Sequence, residues 1–183
     1  MQAHEPDKKI TEFLNKLTSL DAGEKARLRR DAGKPLSEGH SLGLFYRLLP
    51  YGVSEWQEEA YFLVATLYPL AKSGDKGNFG AALRKARDPD KKKNRGLDRR
   101  VEILLDADTA QLPFRLRQAV RFIKSRNPET LVNWQQLLQD LLQWNSPSRW
   151  VQARWARSYF HLPELPVGKP EVPAALPEID QDV

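Results

Sequence analysis

The spacing of apolar residues constrains this chain most, because it repeats at three and four positions through most of its length. Ile10, Phe13, Leu14 and Leu17 open the pattern, and positions i, i+3, i+4 and i+7 share one face of a helix. Leu97, Val101, Leu104 and Leu105 repeat it, as do Leu116, Val120 and Ile123. No segment alternates apolar and polar residues as a half-buried strand does, and no internal repeat is found. The chain therefore has to hide one stripe from each of several short helices.

Punctuation places the elements. Asp21 and Glu24 have capping-box spacing, and Gly33 and Pro35 end the short basic helix that follows. A helix over 40–49 turns Leu44, Phe45 and Leu48 inward, and Pro50 and Gly52 stop it. Ser54 and Gln57 form a second capping box, opening a helix expected to bury Trp56, Ala60, Leu63, Val64 and Leu67. Residues 72–77 read as a loop, 78–87 as a helix, and the stretch through Pro89 to Gly96 as a charged connection. Thr109 is placed to cap the next helix. Asn127-Pro128 and Ser146-Pro147 each read as a cap followed by proline at the first helical position. Leu131, Trp134, Leu138 and Leu141 line the helix after the first pair, and Trp150, Val151 and Trp155 anchor the helix after the second. Trp56, Trp134 and Trp155 lie on apolar stripes and are expected in the core. Beyond Phe160, Pro163, Pro166, Pro170, Pro173 and Pro177 forbid a regular helix. The expectation is an all-α bundle of about eight short helices over residues 1–160. It has possible sub-bundles at 1–75 and 76–160, and an extended or disordered, Pro-rich acidic tail at 161–183.

With 183 residues, 40% of them hydrophobic, one domain can bury a sizeable core. No run of 18 apolar residues is present, the first residues lack the apolar core of a secretory signal, and cysteine is absent. These features lead to the expectation of a cytoplasmic protein with no membrane contact, disulfide or thiolate metal site.

Charge narrows the partner. The net charge of +5 conceals an acidic tail in which Lys169 faces Glu164, Glu171, Glu178, Asp180 and Asp182. The first 160 residues hold 28 basic and 19 acidic side chains, a surplus suited to a polyanion. The densest segment carries Arg84, Lys85, Arg87, Lys91, Lys92, Lys93, Arg95, Arg99 and Arg100, opposed by Asp88, Asp90 and Asp98. A flexible lysine-rich loop there would track phosphates. Arg117, Arg121 and Lys124 share one helical face, expected to point outward. Lys25, Arg27, Arg29 and Arg30 form a third cluster, and Arg149, Arg154 and Arg157 a fourth. Each cluster alone also reads as an ordinary solvated face.

Catalytic patterns are missing. His4, His40 and His161 make no metal-binding spacing, and no phosphate-loop or nucleophile-elbow motif occurs. Asp88-Pro-Asp90 and Asp106-Ala-Asp108 read as turn and helix-end carboxylates rather than a nuclease centre. Neither an enzyme nor a cofactor is expected.

The chain resembles the small subunit of the type I-E CRISPR Cascade complex, the CasB family. The resemblance rests on Leu44-Phe45-Tyr46-Arg47-Leu48, on Phe79-Gly80-Ala81-Ala82-Leu83 leading into the basic segment, and on Asp98-Arg99-Arg100-Val101 with Leu104-Leu105. Leu116-Arg117 and Val132-Asn133-Trp134-Gln135-Gln136-Leu137 continue it, in order, across most of 21–160. The resemblance implies a helical, non-catalytic subunit that sits as a pair beside the backbone and large subunits. There it would stabilise the R-loop formed by CRISPR RNA with the target and displaced DNA strands. Asp98 stands where the family often has Glu, Phe79 precedes Gly80 where Ser is usual, and the acidic tail lies outside the motif pattern. On this reading Arg84, Arg87, Lys91, Lys92, Lys93, Arg95, Arg99, Arg100, Arg117, Arg121 and Lys124 face nucleic acid, with Arg29, Arg30 and Arg47 as second-rank candidates. A purely structural protein–protein clamp and a stand-alone single-strand-binding protein remain the alternatives.

Overall fold

Seven consecutive residues, Tyr61 to Leu67, are buried, so the helix that carries them is enclosed on all sides. It is α4 (Glu55–Leu67) in a computed structural model that describes residues 5–74 and 76–160. Before it come α1 (Glu5–Ser19), α2 (Ala22–Arg30) and α3 (Leu42–Leu48); after it come α5 (Phe79–Lys85), α6 (Arg95–Leu105), α7 (Leu112–Arg126), α8 (Trp134–Leu142) and α9 (Trp150–Tyr159). These are nine α-helices among the described residues, and the expected all-helical fold holds. The tail at 161–183 lies outside the described residues. Helix α4 packs against α2, α7 and α8, while α1 packs on α8 and α3. Helices α5 and α9 form the closest pair, and α6 lies on α7 and α9. Apolar side chains from all nine join one core.

Gly80 explains the α5–α9 contact. A Cβ at that position would fall 2.2 Å from the Trp155 carbonyl oxygen, so only glycine lets the two backbones approach. Asn78 caps α5 through the Ala81 N–H and also donates to Ser158 Oγ at 2.9 Å. The Asp21–Glu24 capping box forms as expected, and Gln57 Oε1 accepts from the Ser54 N–H at 3.2 Å.

Two buried carboxylates brace the bundle. Asp31 accepts from Ser41 Oγ, from the backbone N–H groups of Ser41 and His40, and from Lys34 Nζ. Burial alone would raise its pKa, but these donors outweigh burial and hold the carboxyl at about 2. Asp140 is wholly buried and accepts from Trp155 Nε1, Gln136 Nε2 and Arg154. Burial pushes its pKa up, and the same donors pull it back.

Several local expectations fail for identifiable reasons. Trp56 is 69% exposed, because it lies ahead of the enclosed part of α4, at the rim of a hollow bordered by α7 and α8. Trp134 and Trp155 are buried as expected. Asn127-Pro128 opens no helix: Asn127 ends α7, and Asn133 caps α8 through the Gln136 N–H. The delay comes from Val132, whose N–H donates to the Lys72 carbonyl while its own carbonyl accepts from the Gly74 N–H, both at 2.9 Å. That isolated parallel bridge keeps the backbone extended and leaves Leu131 exposed beside Gly74. Ser146-Pro147 lies in a turn that ends at Arg149 with φ 49°, and α9 starts one residue later. Trp150 is exposed, its ring 4.9 Å from the Arg154 guanidinium. Asp108 rather than Thr109 accepts the Gln111 N–H ahead of α7.

Candidate nucleic-acid interface

The densest basic segment is ordered rather than a loose loop. Buried Asn94 donates to the carbonyls of Asp88 and Asp90 and accepts from the Asp88 N–H. Asp90 accepts the Lys92 N–H, so residues Lys91–Asn94 wind into a 3-10 turn that runs straight into α6. Lys92, Lys93 and Arg95 are exposed on this hydrogen-bonded corner; the Lys91 side chain lies outside the described residues.

Helix α6 buries Leu97, Val101 and Leu104, and α7 buries Leu112, Leu116, Val120 and Ile123. The residues beside those stripes face a seam between the helices. One hollow of about 490 Å³ is lined by Asp88, Lys93, Asn94, Arg100, Phe122 and Arg126, among others, with Asp88 accepting the Asp90 N–H. A second, of about 680 Å³, adjoins it and is lined by Arg100, Gln118, Arg121, Phe122 and Ser125. Arg100, Arg121 and Arg126 are exposed, and no carboxylate among the described residues engages them. Lys93, Arg100 and Arg121, expected from sequence, are thus brought together with Arg126, which sequence reasoning missed. Its position four residues after Phe122 was the available signal, since i and i+4 share a helix face. Arg99 and Lys124 are exposed close by on α6 and α7.

Other expected residues are placed elsewhere. Arg87 is turned inward, 3.5 Å from Asp98 and 5.0 Å from the Tyr159 ring centroid. Tyr159 itself donates to Asp98 at 2.6 Å, and burial followed by that bond pushes its pKa up. Arg84 is half-buried in the last turn of α5. Arg117 does not point outward as expected. Its Nε is buried, and its side chain runs over Gly33, where a Cβ would lie 2.6 Å from the Arg117 Cδ. Position 117 adjoins the buried Leu116, so its stem lies along the core edge while Arg121, one turn on, clears it. Arg29 and Arg30 are exposed on α2, and Arg47 on α3 lies 3.7 Å from Glu24.

The fourth basic cluster is largely structural. Arg149 donates to the Leu105 carbonyl and pairs with Asp106 at the end of α6, and Arg154 serves Asp140. Asp88 and Asp108 accept backbone N–H groups in turns. Among the described residues no group of three or more His, Asp or Glu side chains is placed to hold a metal ion. None of the helices there is long and apolar enough to cross a membrane.

The comparisons with known proteins point to one family. The profile of the family described as CRISPR-associated protein Cse2 matches residues 24–160. A CRISPR-associated protein Cse2 from Thermus thermophilus is 35% identical over 165 residues, covering 85% of this chain and 90% of the relative. The crystal structure of CasB from Thermus thermophilus has a TM-score of 0.68 at 31% identity, covering 86% of this chain and 99% of that one. CasB from M. ruber gives 0.69 at 30%, with coverage of 84% and 93%. A chain of a CRISPR RNA-guided surveillance complex shares the fold at 0.69 and 17% identity, with coverage of 85% and 93%. A match across most of the sequence, a relative alike over nearly its whole length and the same helical architecture lead to one conclusion: the chain belongs to the Cse2 family of CRISPR-associated proteins.

Proposed function

We propose that this chain is the non-catalytic small subunit of a type I-E CRISPR RNA-guided surveillance complex, acting in the cytoplasm. Its α6–α7 seam holds nucleic-acid phosphates while the R-loop forms. The observation that carries this reading is the convergence of Lys93, Arg100, Arg121 and Arg126 on two adjoining hollows, where Asp88 is the one carboxylate in the lining and no carboxylate pairs with the three arginines among the described residues. Exchange of a DNA duplex for an RNA–DNA duplex is close to balanced, so modest contacts to a strand decide whether the loop persists. Contacts of this kind are weak and sequence-independent in isolation, and assembly beside the backbone and large subunits raises their effective concentration. The partners are those subunits, the CRISPR RNA, the target and displaced DNA strands, and a second copy of the chain.

A protein-only clamp is the second reading. It is favoured by exposed Trp56, which borders a hollow lined by Ala60, Leu63, Pro113 and Leu142. Photo-crosslinking separates the two. A crosslinker at position 121 in the assembled complex should capture a DNA strand, in a yield that falls as salt is raised. Capture of protein alone at every salt concentration would decide for the clamp.

A further inference from the structure

Phe122 joins the two helices of the seam through their arginines. The Arg100 guanidinium carbon, from α6, lies 5.3 Å from the ring centroid, and that of Arg126, from α7, lies 5.5 Å from it. The ring is half-buried and packs against the core, so its position is fixed, while both arginines are exposed. Both hollows of the seam are lined by Arg100 and Phe122.

What is unusual here is the shared ring: Arg115 also lies over Phe114, 5.6 Å from its centroid, with no carboxylate paired to it among the described residues, but that ring holds one arginine. Arg87 lies over Tyr159 and Arg154 over Trp150, but each also pairs with a carboxylate, Asp98 and Asp140 respectively. Those stacks are internal braces. Arg100 and Arg126 share a ring and lack such an acid among the described residues, so their N–H edges stay open. A guanidinium held against a ring keeps its edges clear, and it is the edge that a phosphate takes in a bidentate pair. Because both carbons lie close to one centroid, they are within about 11 Å of one another. Neighbouring phosphates on one strand can bridge such a span. Lys93 lines the same hollow and adds a mobile point charge.

We infer that Phe122 is a positioning residue: it presents Arg100 and Arg126 as a pre-oriented pair of forks for successive phosphodiesters of one nucleic-acid strand. The inference rests on the phosphate-binding reading of the same seam. It adds that orientation, beyond charge, sets the affinity.

The test uses the full chain and a fluorescent oligothymidine strand, with binding followed by anisotropy across a salt series. Phe122→Leu keeps apolar bulk and removes the ring; it should weaken binding about 5- to 30-fold with the salt slope unchanged. Phe122→Tyr should restore wild-type affinity. Arg100→Gln and Arg126→Gln should each flatten the slope by about 0.7, since each gives up a phosphate. If Phe122→Leu binds within two-fold of wild type while the arginine variants weaken, the platform is wrong and the phosphate reading stands. Equal losses for Phe122→Leu and Phe122→Tyr would also overturn the platform, because the ring is retained in the second. If neither arginine variant changes affinity or slope, the phosphate reading itself falls. Circular dichroism checks each fold, and Phe122→Met replaces Phe122→Leu if the latter fails to fold.

Discussion

Neutralising the basic residues one at a time should divide them into two groups that the sequence alone does not separate. Lys93, Arg100, Arg121 and Arg126 line the α6–α7 hollows, and each should neutralise one phosphate of a single strand. At about 0.7 per phosphate, the four together contribute about −2.8 to the slope of log affinity against log salt. That corresponds to about a fifty-fold loss between 50 and 200 mM salt. A glutamine at any of the four should flatten the slope by about 0.7 and leave the melting temperature nearly unchanged. Arg87 provides the contrast. It is bound to Asp98 and Tyr159, so Arg87→Gln should leave the slope intact and cost about 1–2 kcal/mol of stability. Fluorescence anisotropy over the salt series gives the slope, and urea unfolding of the same samples gives the stability. Arg87→Gln flattening the slope as much as Arg121→Gln would refute the assignment of inward and outward cations.

Three further outcomes test the scaffold. Asp140→Ala strands Arg154, Trp155 Nε1–H and Gln136 Nε2 without their acceptor, so stability should fall by about 3–5 kcal/mol and the melting temperature by about 6–20 °C. Leucine at both 140 and 154 should recover part of the loss. Gly80→Ala should cost about 1–3 kcal/mol by forcing α5 from α9, whereas Gly96→Ala, with open space around it, should be neutral or stabilising in thermal melts. Asp31 has its folded pKa lowered from 3.8 to about 2, so the folded state sheds that proton more readily than the unfolded chain. Its contribution is complete above about pH 4 and is lost as pH falls toward 2, a loss of about 2 kcal/mol. Asp31→Asn should flatten urea-derived stability across that window.

Much of the helical content was legible in the chain, because amphipathic spacing and capping act over three or four residues. The Asp21–Glu24 box and the buried stripes of α6 and α7 needed no distant partner to be recognised. Errors arose where a remote contact overrode a local signal. Asn127-Pro128 has the form of a helix start, yet the bridge between Val132 and the 72–74 segment holds the backbone extended and moves the start to Trp134. Trp56 sits on an apolar stripe, yet it is left exposed at the rim of a hollow lined by residues of α4, α7 and α8.

The candidate site divides in the same way. Sequence by itself determined that the first 160 residues are cationic, helical and without disulfides, since charge, periodicity and the absence of cysteine are properties of the chain. Which cations are turned inward and which stay exposed was decided only by tertiary structure. Arg87 and Arg100 look equivalent in the basic segment, but α9 supplies Tyr159 to hold the first while α7 supplies Phe122 to display the second. An arginine's role follows from whether folding brings a carboxylate or open solvent to its guanidinium. For Arg87 and Arg100 that outcome depends on rings supplied by other helices, 72 and 22 residues away in the chain, and no local pattern encodes it, whereas Arg126 and Phe122 share a face of one helix.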